Sequence, residues 1–528
     1  MSYDDSIMLP DSQLTDEQVG AVTASTLQVP FIVLSKLSIP KDVFRIIPEK
    51  IAHRQKAIAF ARDADGVKVA TANPGNQAFF ASVAKKTGQR IHLYFATERD
   101  IETTLQTYKK VLQTTIDELL KEDIHKAMVT GLEDPPVAKI VDVLIDGAYQ
   151  DKASDIHIEP EEKDCLIRFR IDGVLRDVAR VPKTLHDRII TRIKVLSSLR
   201  TDEHLSAQDG KMRLALTEED LDIRVSIIPI TGGEKAVLRL LSSRSRQYTL
   251  TDLGMSEGDL AKVTNAFNKS YGMILSTGPT GCGKTTSIYA ITKILNTREK
   301  NITTIEDPVE YRIIGANQVQ VNAKTNLTFA NGLRSILRQD PNIIFVGEIR
   351  DNETAAIAVN AALTGHLVLS TLHTNDAATA IPRLTDMKIE PFLVASTVNV
   401  IIAQRLVRKI CDACKTTNMM TTDELKHHIP AEAIKKHLGD TAEVTTYKGR
   451  GCNICHSTGY SGRVGIFEVL EVTKAIRQKI TQRNDSDAIA DEARKEGMST
   501  MLDDGLDKVA KGVTTVEEVI RVTKVEFL

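Results

Sequence analysis

The chain contains no tryptophan, and aromatic residues fill only 4% of its 528 positions. That scarcity counts against stacking platforms for single-stranded nucleic acid and against the aromatic belts of membrane proteins. An excess of either charge is missing as well: 68 Lys and Arg stand against 70 Asp and Glu. With no basic surplus to pull on a polyanion, no nucleic-acid partner is expected. Long apolar runs are also absent. The longest, residues 392–403, is broken by Ser396, Thr397 and Asn399 and falls far short of the roughly 20 residues that cross a bilayer. The acidic start MSYDDSIMLPDSQ holds no apolar segment of the kind signal peptides use. Six cysteines are too few to staple a chain of this length, so a cytoplasmic, reducing location is expected.

What is present describes a soluble protein with several cores. The apolar fraction is 42% and the charged fraction 26%, as in ordinary globular chains. A length of 528 residues exceeds what one core uses, so roughly three or four domains are expected. Residues 1–12 read as a flexible start. Residues 13–108 mix helices and short strands, with a hairpin signal at Asp63-Ala64-Asp65-Gly66 and a turn at Asn73-Pro74-Gly75-Asn76. A polar, helix-prone connector follows over 109–131. A second unit spans 132–245 and opens with a helix whose apolar face includes Ile140, Val143 and Leu144. There Leu166, Arg168 and Arg170 alternate with Ile167, Phe169 and Ile171, which predicts a sheet with one wet face and a hairpin turn at Asp172-Gly173. A further strand pair is expected at 222–228 and 236–241. Ser242 to Gln247 is polar and basic and reads as a hinge. From 248 to 528 strands alternate with helices, as in a parallel α/β core, and 467–528 is nearly all helical in periodicity. The expected fold class is α/β and multidomain.

One loop carries the chemistry. A short apolar run at 271–276 leads into Gly278-Pro279-Thr280-Gly281-Cys282-Gly283-Lys284-Thr285, followed by Thr286 and a helix with Ile288, Ile291 and Leu295 on one face. This fits the phosphate-binding pattern G-x-x-x-x-G-K-[ST]. The glycines let backbone N–H groups surround phosphate oxygens, and the helix N-terminus adds positive potential. Lys284 would reach the terminal phosphates and Thr285 would offer its hydroxyl to Mg²⁺. The competing reading, a chance match in a glycine-rich turn, is disfavoured by the strand–loop–helix order. A second apolar run at 342–346 ends in Gly347-Glu348, and Glu348 is the carboxylate placed to polarise an attacking water. Glu306, Asp307 and Glu310 form either an acidic loop start or, because bare carboxylates repel phosphate, a set acting through Mg²⁺. His366 and His373 flank an apolar strand and read as γ-phosphate sensors, although a lone histidine is usually structural.

Cys411-Asp412-Ala413-Cys414 and Cys452-Asn453-Ile454-Cys455 are two C-x-x-C pairs. A redox dithiol or core cysteines compete with a metal reading. Two pairs in one chain favour a closed, structural four-thiolate Zn²⁺ site with no catalytic role. Cys165 and Cys282 read as packing or loop residues.

The runs GPTGCGKTT, TIEDPVEY, LRSILRQDPN, IIFVGEIRD, TGHLVLSTLHTNDA and QRL together resemble the secretion-superfamily ATPases, the hexameric motors of type IV pilus assembly and type II secretion. ASDIHIEP, IRFRIDGVLR, AQDGKM and RVSIIPITGGEKAVLRLL extend the resemblance backward, and GRGCNICHSTGYSGRVGIFEV extends it forward. The resemblance implies a RecA-like P-loop ATPase core over 248–528, preceded by two smaller α/β domains, the second PAS-like. It implies a zinc-binding tip subdomain at 408–460 and a helical C-terminal region. By motif, Lys284 and Thr285 correspond to Walker A, Glu348 to Walker B, Glu306, Asp307 and Glu310 to the acidic box, and His366 and His373 to the histidine box. Arg224 and Arg239 match arginines that the second domain sends toward the nucleotide, and Arg334 and Arg338 are further candidates at a subunit boundary. For each arginine a surface ion pair is the competing reading. The implied cofactors are ATP, Mg²⁺ and Zn²⁺. The implied partners are five further copies in a hexamer, together with a platform protein and docking proteins at the cytoplasmic face of the inner membrane. The cysteine cluster and the first domain point away from pilus retraction. Pilus assembly is the leading expectation, type II secretion the alternative, and a nucleic-acid translocase the least favoured. No Arg-Leu-Gly run lies in 1–120, so cyclic-di-GMP is not expected in the first domain.

Overall fold

The computed structural model describes residues 16–34, 37, 39–44, 46–63, 65–107, 112–130, 137–216, 219–242, 248–452 and 455–523. The expected flexible start, and the expected hinge apart from Ser242, lie outside the described residues. Contacts divide the chain into two units that meet in sequence between Asp134 and Pro135.

The first unit is built on three strands: β1 (Ala57–Asp63), β2 (Gly66–Thr71) and β3 (Ile91–Phe95). The β1–β2 pair is antiparallel and closed by Asp63, whose Oδ1 accepts the N–H groups of Asp65 and Gly66 at 3.0 and 3.2 Å. Gly66 has φ +144°, and a Cβ there would lie 2.3 Å from the Arg90 carbonyl oxygen, so only glycine fits this turn. β3 runs parallel to β2 and therefore needs a crossover, which the helix Gln77–Thr87 supplies. Asn76 caps that helix by accepting from the Phe79 N–H. Leu34, Ile58, Val67, Val69, Phe80 and Leu105 fill the core beneath. The expected connector forms the helix Leu112–Thr130.

The second unit begins with a six-stranded antiparallel sheet: β4 (Asp155–Pro160), β5 (Asp164–Ile171), β6 (Val174–Pro182), β7 (Gln208–Ala215), β8 (Asp220–Ile230) and β9 (Gly233–Leu241), in the order β6-β5-β4-β9-β8-β7. Ile167, Phe169 and Ile171 are buried, and the helices Val137–Gln150 and Lys183–Leu196 pack with the sheet. The opposite face is polar. One row of it runs in register through Arg170, Asp155, Arg239, Arg224 and Lys211, four cations and one carboxylate. The Asp172-Gly173 turn takes φ +51° and +85°, the left-handed pair that a tight hairpin requires.

The remaining chain forms a seven-stranded sheet and a separate hairpin. The strands are β10 (Gly272–Thr277), β11 (Ile302–Glu306), β12 (Ala316–Gln320), β13 (Ile343–Val346), β14 (Leu367–Leu372), β15 (Val398–Ile410), β16 (Lys415–Thr421), β17 (Glu443–Gly449) and β18 (Tyr460–Glu471). The sheet order is β12-β11-β13-β14-β10-β15-β18, parallel except for the antiparallel β15–β18 pair. Helices cover both faces, so β10 is buried along its whole length. The start of the C-terminal region differs from the helical expectation, because residues 467–471 are strand. Phe467 and Val469 enter one core cluster while Ile466 and Leu470 enter the other. A strand buried on both faces is a continuous apolar run, and periodicity alone does not separate it from a helix.

β16 and β17, with the helices Thr422–Lys426 and Ala431–His437, form the insert between the cysteine pairs. The insert is seated, not free. Leu425, Ile429, Ile434 and Val444 pack against Leu506, Val509, Val516 and Val519 of the helices Met501–Ala510 and Val516–Thr523. His437 also lies 2.6 Å from both Asp503 and Asp507. The last helix is tied to β15 by Glu518, which accepts from the Arg408 N–H at 2.9 Å and from the Arg408 guanidinium at 2.7 Å. Burial opposes the Glu518 charge, but bonds from Arg521 and Arg408 outweigh it and bring the carboxyl down to about 2. Because the folded value is depressed, this stabilisation is present above the ordinary value of 4.5 and is lost as pH falls from there toward about 2. Glu518→Gln is expected to cost about 3 kcal/mol at neutral pH. In thermal melts its gap from the natural protein should close below pH 4.5.

Candidate nucleotide site and cysteine cluster

The phosphate loop sits where β10 ends in the middle of the parallel sheet. Gly278, Gly281 and Gly283 have φ values of +146°, +78° and +92°, a sequence of left-handed turns open to glycine alone. Space reinforces this at Gly278, where a Cβ would lie 2.5 Å from Cys282 Sγ and 2.7 Å from the Gln404 carbonyl. Pro279 and Thr280 are exposed at the loop's crest, while Thr285 and Thr286 are half-buried at the start of the helix Lys284–Leu295. Lys284 folds back over the loop and donates to the Gly278 and Pro279 carbonyls at 2.8 and 3.0 Å. Burial pushes its ammonium below the ordinary lysine value. A desolvated cation held, among the described residues, by two carbonyls is ready for an anion.

Glu348 follows β13, two strands from β10, and its side chain is 12% exposed. One carboxylate oxygen lies 2.6 Å from the Arg350 guanidinium and the other 3.2 Å from His373 Nε2. His373 follows β14, the strand between them, at the loop-side end of the sheet. Thr374 is tied to the last residue of β10: the Thr277 and Thr374 hydroxyls lie 2.7 Å apart, and Thr277 Oγ1 accepts the Thr374 N–H at 2.9 Å. Lys284, Glu348 and His373 thus gather at one end of the sheet.

His366 does not join them. It precedes β14, whose first residue pairs with the first residue of β10, so it lies at the far end of the sheet. At about 3.3 Å per residue, β14 separates it from His373 by roughly 20 Å. Its Nδ1 lies 3.0 Å from the Ala361 carbonyl, at the end of the helix Asn352–Leu363. Within one chain His366 is thus a helix-end residue, and the structure does not bring it together with Glu348 and His373.

The acidic set also divides. Glu306 is 2% exposed and saturated by protein donors: Tyr289 on the loop's own helix, Thr304 at 2.6 Å and Gln318 at 3.2 Å. Burial raises its carboxyl above the ordinary value, against the pull of these bonds. It ties β11 to the phosphate-loop helix, and both of its oxygens accept from protein donors. Asp307 is exposed, and Glu310 is half-buried. Glu310 meets Arg224, which reaches it at 2.9 Å and also donates to the Val309 carbonyl at 2.6 Å. Arg239, the cross-strand neighbour of Arg224, instead pairs with Asp155 at 3.0 Å and is 60% exposed. Arg334 is exposed and paired with Glu353 at 2.5 Å, and the neighbouring Arg338 donates to the Arg334 carbonyl at 3.0 Å. Arg334 thus takes part in a surface ion pair within the chain, whereas the bonds of Arg338 go to that carbonyl and to the Ser335 hydroxyl.

The four cysteines meet where the insert leaves and rejoins the main sheet. Their sulfurs all lie within 4.8 Å of one another. Cys411–Cys452 and Cys414–Cys455 are each 3.8 Å apart, and Cys452–Cys455 is 3.7 Å. A tetrahedron of sulfurs about 2.3 Å from a central zinc has edges of about 3.8 Å, so the donor set fits that ion. Cys455 Sγ accepts the Cys452 and Gly459 N–H groups at 3.2 Å each. Against the opposing effect of burial, such donors lower its thiol to about 7. Sequence reasoning singled out the QRL run but assigned no role to its Gln404 and Arg405, which border the phosphate loop. Their only signal was position, directly after the apolar run 398–403 within β15.

A phosphate loop between a central parallel strand and a helix, with a carboxylate on a nearby strand, defines a P-loop nucleoside triphosphatase core. The family model described as "Type II/IV secretion system protein" matches residues 131–521, and the MshEN domain matches residues 27–114. The chain belongs to the type II/IV secretion family and is an ATPase of that family. The type IV pilus assembly ATPase PilB of Myxococcus xanthus is 38% identical over 97% of this chain and 91% of that protein. The type II secretion system protein E of Pseudomonas aeruginosa is 47% identical over 75% of this chain and 77% of that one. Among solved structures, the pilus retraction motor PilT with bound ADP shares 26% identity at a TM-score of 0.51, covering 72% of this chain and 96% of that one. The Legionella pneumophila ATPase DotB, at 22% identity and TM-score 0.54, covers 72% and 95% and shares the fold.

Proposed function

We propose that this ATPase powers type IV pilus assembly as a homohexamer at the cytoplasmic face of the inner membrane, where it acts on a platform protein. The observation that carries the reading is the extent of the likeness to the pilus assembly ATPase, 97% of the chain with the first unit included. Type II secretion is the second reading, favoured by the higher identity, 47%, over the shared 75%. Among the described residues no helix is long and apolar enough to cross a membrane, which agrees with attachment through partners.

In the proposed reaction, water attacks the γ-phosphorus of ATP, the bond to the β-phosphate oxygen breaks, and ADP and phosphate leave. Residues 278–286 cradle the phosphates with backbone N–H groups, and Lys284 exchanges its two carbonyl partners for phosphate oxygens. Thr285 would hold Mg²⁺, which would supply positive charge to the phosphates. Glu348 exchanges Arg350 and His373 for the attacking water and takes its proton. Asp307 and Glu310 line the approach, and Glu306 acts as a positioning residue through Tyr289. Arg224 reports on Glu310 from the polar sheet, and Arg239 stands in the same row to meet a neighbouring copy. The four cysteines would hold zinc as a structural staple.

Lys284→Ala is expected to weaken ATP binding roughly 10- to 100-fold, the worth of one lost charged hydrogen-bond set. Binding of a fluorescent ATP analogue measures it, and unchanged affinity would show the loop assignment to be wrong. Recovery of pilins and a pilus platform protein with the native chain would support assembly. Recovery of a secretin-linked set would move the reading to secretion.

A further inference from the structure

Two adjacent residues of β15, neither yet given a part in the reaction, touch both loops of the site. β15 runs parallel to β10, with Ser276 opposite Ile402 and Thr277 opposite Ala403. Gln404 therefore stands level with Gly278, where the phosphate loop begins. Its side chain is buried and both ends of its amide are used. Nε2 donates to the Cys282 carbonyl at 2.7 Å, and Oε1 accepts from Ser287 Oγ at 2.7 Å. One amide thus bridges the loop and the first turn of the helix behind it. The fit is close, for a Cβ on Gly283 would lie 3.0 Å from Gln404 Nε2.

Arg405 turns the other way. Nη1 donates to the Gln404 carbonyl at 3.1 Å, and Nη2 donates to the Asn375 carbonyl at 2.7 Å. Asn375 lies in the loop that carries His373. That loop is pinned again one step further on, where Glu468 accepts the Ala377 N–H at 2.9 Å. Arg405 is half-buried, and among the described residues it has two carbonyl partners and no ion pair. Asp376 and Glu468 act on it from a distance. Burial pushes its guanidinium below the ordinary value, as it does the Lys284 ammonium, on which the Arg405 charge also bears. Two desolvated cations side by side are unfavourable until a polyanion arrives.

We infer that Gln404 and Arg405 are positioning residues for ATP hydrolysis: Gln404 fixes the shape of the phosphate loop, and Arg405 holds the His373 loop in register with it. The two would split kinetically. The loop's shape sets how well phosphate is bound, so Gln404 acts on affinity. The His373 loop meets Glu348, so Arg405 acts on turnover, while its charge adds to affinity.

This inference rests on the nucleotide site proposed above, and the test separates the two. Full-length, oligomerised protein is assayed for kcat, KM and binding of a fluorescent ATP analogue, with melting temperature and oligomer size as controls. Gln404→Leu is expected to raise KM about tenfold with kcat nearly unchanged, as one lost hydrogen bond to the loop would do. Gln404→Glu, nearly the same shape but unable to donate to Cys282, is expected to raise KM as well, and it stands in if the leucine variant does not fold. Arg405→Lys, which keeps the charge but loses the two-carbonyl bridge, is expected to lower kcat about tenfold at nearly constant KM. Arg405→Gln is expected to change both. Wild-type KM in both Gln404 variants, or equal losses of kcat in all four that track loss of oligomer, would overturn the inference. Failure of the site itself would appear separately, as undiminished ATP binding by Lys284→Ala.

Discussion

Glu348→Gln is expected to lower ATP turnover by roughly 10²- to 10⁴-fold while leaving nucleotide affinity near that of the natural protein. The substitution keeps shape and burial but removes the negative charge that draws a proton from water. Glu348 is only 12% exposed, and its oxygens are occupied by Arg350 at 2.6 Å and His373 at 3.2 Å. The amide oxygen can still accept from Arg350 and the amide N–H can donate to a neutral His373 Nε2, so folding should be little disturbed. The contrast with Lys284→Ala is the informative comparison, since that variant should fail at binding. Single-turnover hydrolysis with prebound ATP isolates the chemical step. If Glu348→Gln retains more than about a tenth of the natural rate, the water is oriented elsewhere.

The second large effect concerns the cysteines. Treating the natural protein with a chelator to remove the proposed zinc, or replacing Cys455 by serine, is expected to open the insert at 415–449 to proteolysis. Apparent zinc binding free energies of roughly 10 kcal/mol in small thiolate sites exceed what a small insert gains from its own core. The insert's Leu425, Ile429, Ile434 and Val444 form a small core, completed by Leu506, Val509, Val516 and Val519 of the C-terminal helices. The cysteines stand at both roots of the insert, so losing one frees both ends of its hairpin. The strand and helix that flank the phosphate loop pack in other core clusters, so the loop should still bind nucleotide. Measured zinc per chain, protease mapping and fluorescent-nucleotide binding on one sample test the claim. A metal-free sample with an intact insert would show that hydrogen bonds and packing alone hold it.

The phosphate loop was legible because its requirements are local. Gly278, Gly281 and Gly283 answer to backbone angles, and Lys284 and Thr285 follow at fixed spacing along one turn of chain. The cysteine cluster was legible because two short-range pairs need only one long-range meeting. Glu348 could be read from the end of an apolar run. The histidines show the limit. His366 and His373 look alike in sequence, each beside the same strand, but a strand has two ends and only one faces the loop. Strand direction within the sheet separated them by roughly 20 Å. Glu306 shows a second limit, since nothing local tells a carboxylate aimed at a metal from one saturated by Tyr289, Thr304 and Gln318. Residues 467–471 show a third, because a strand buried on both faces has no alternation to read.

The amino-acid order alone therefore determined the class of chemistry, the glycine loop with its phosphate-binding pattern and the two cysteine pairs, each dictated by neighbours a few positions apart. Which acids and histidines face that loop, and that Gln404 and Arg405 brace it, was decided only when distant strands were laid side by side, since a side chain's partners across a sheet are fixed by strand order and register.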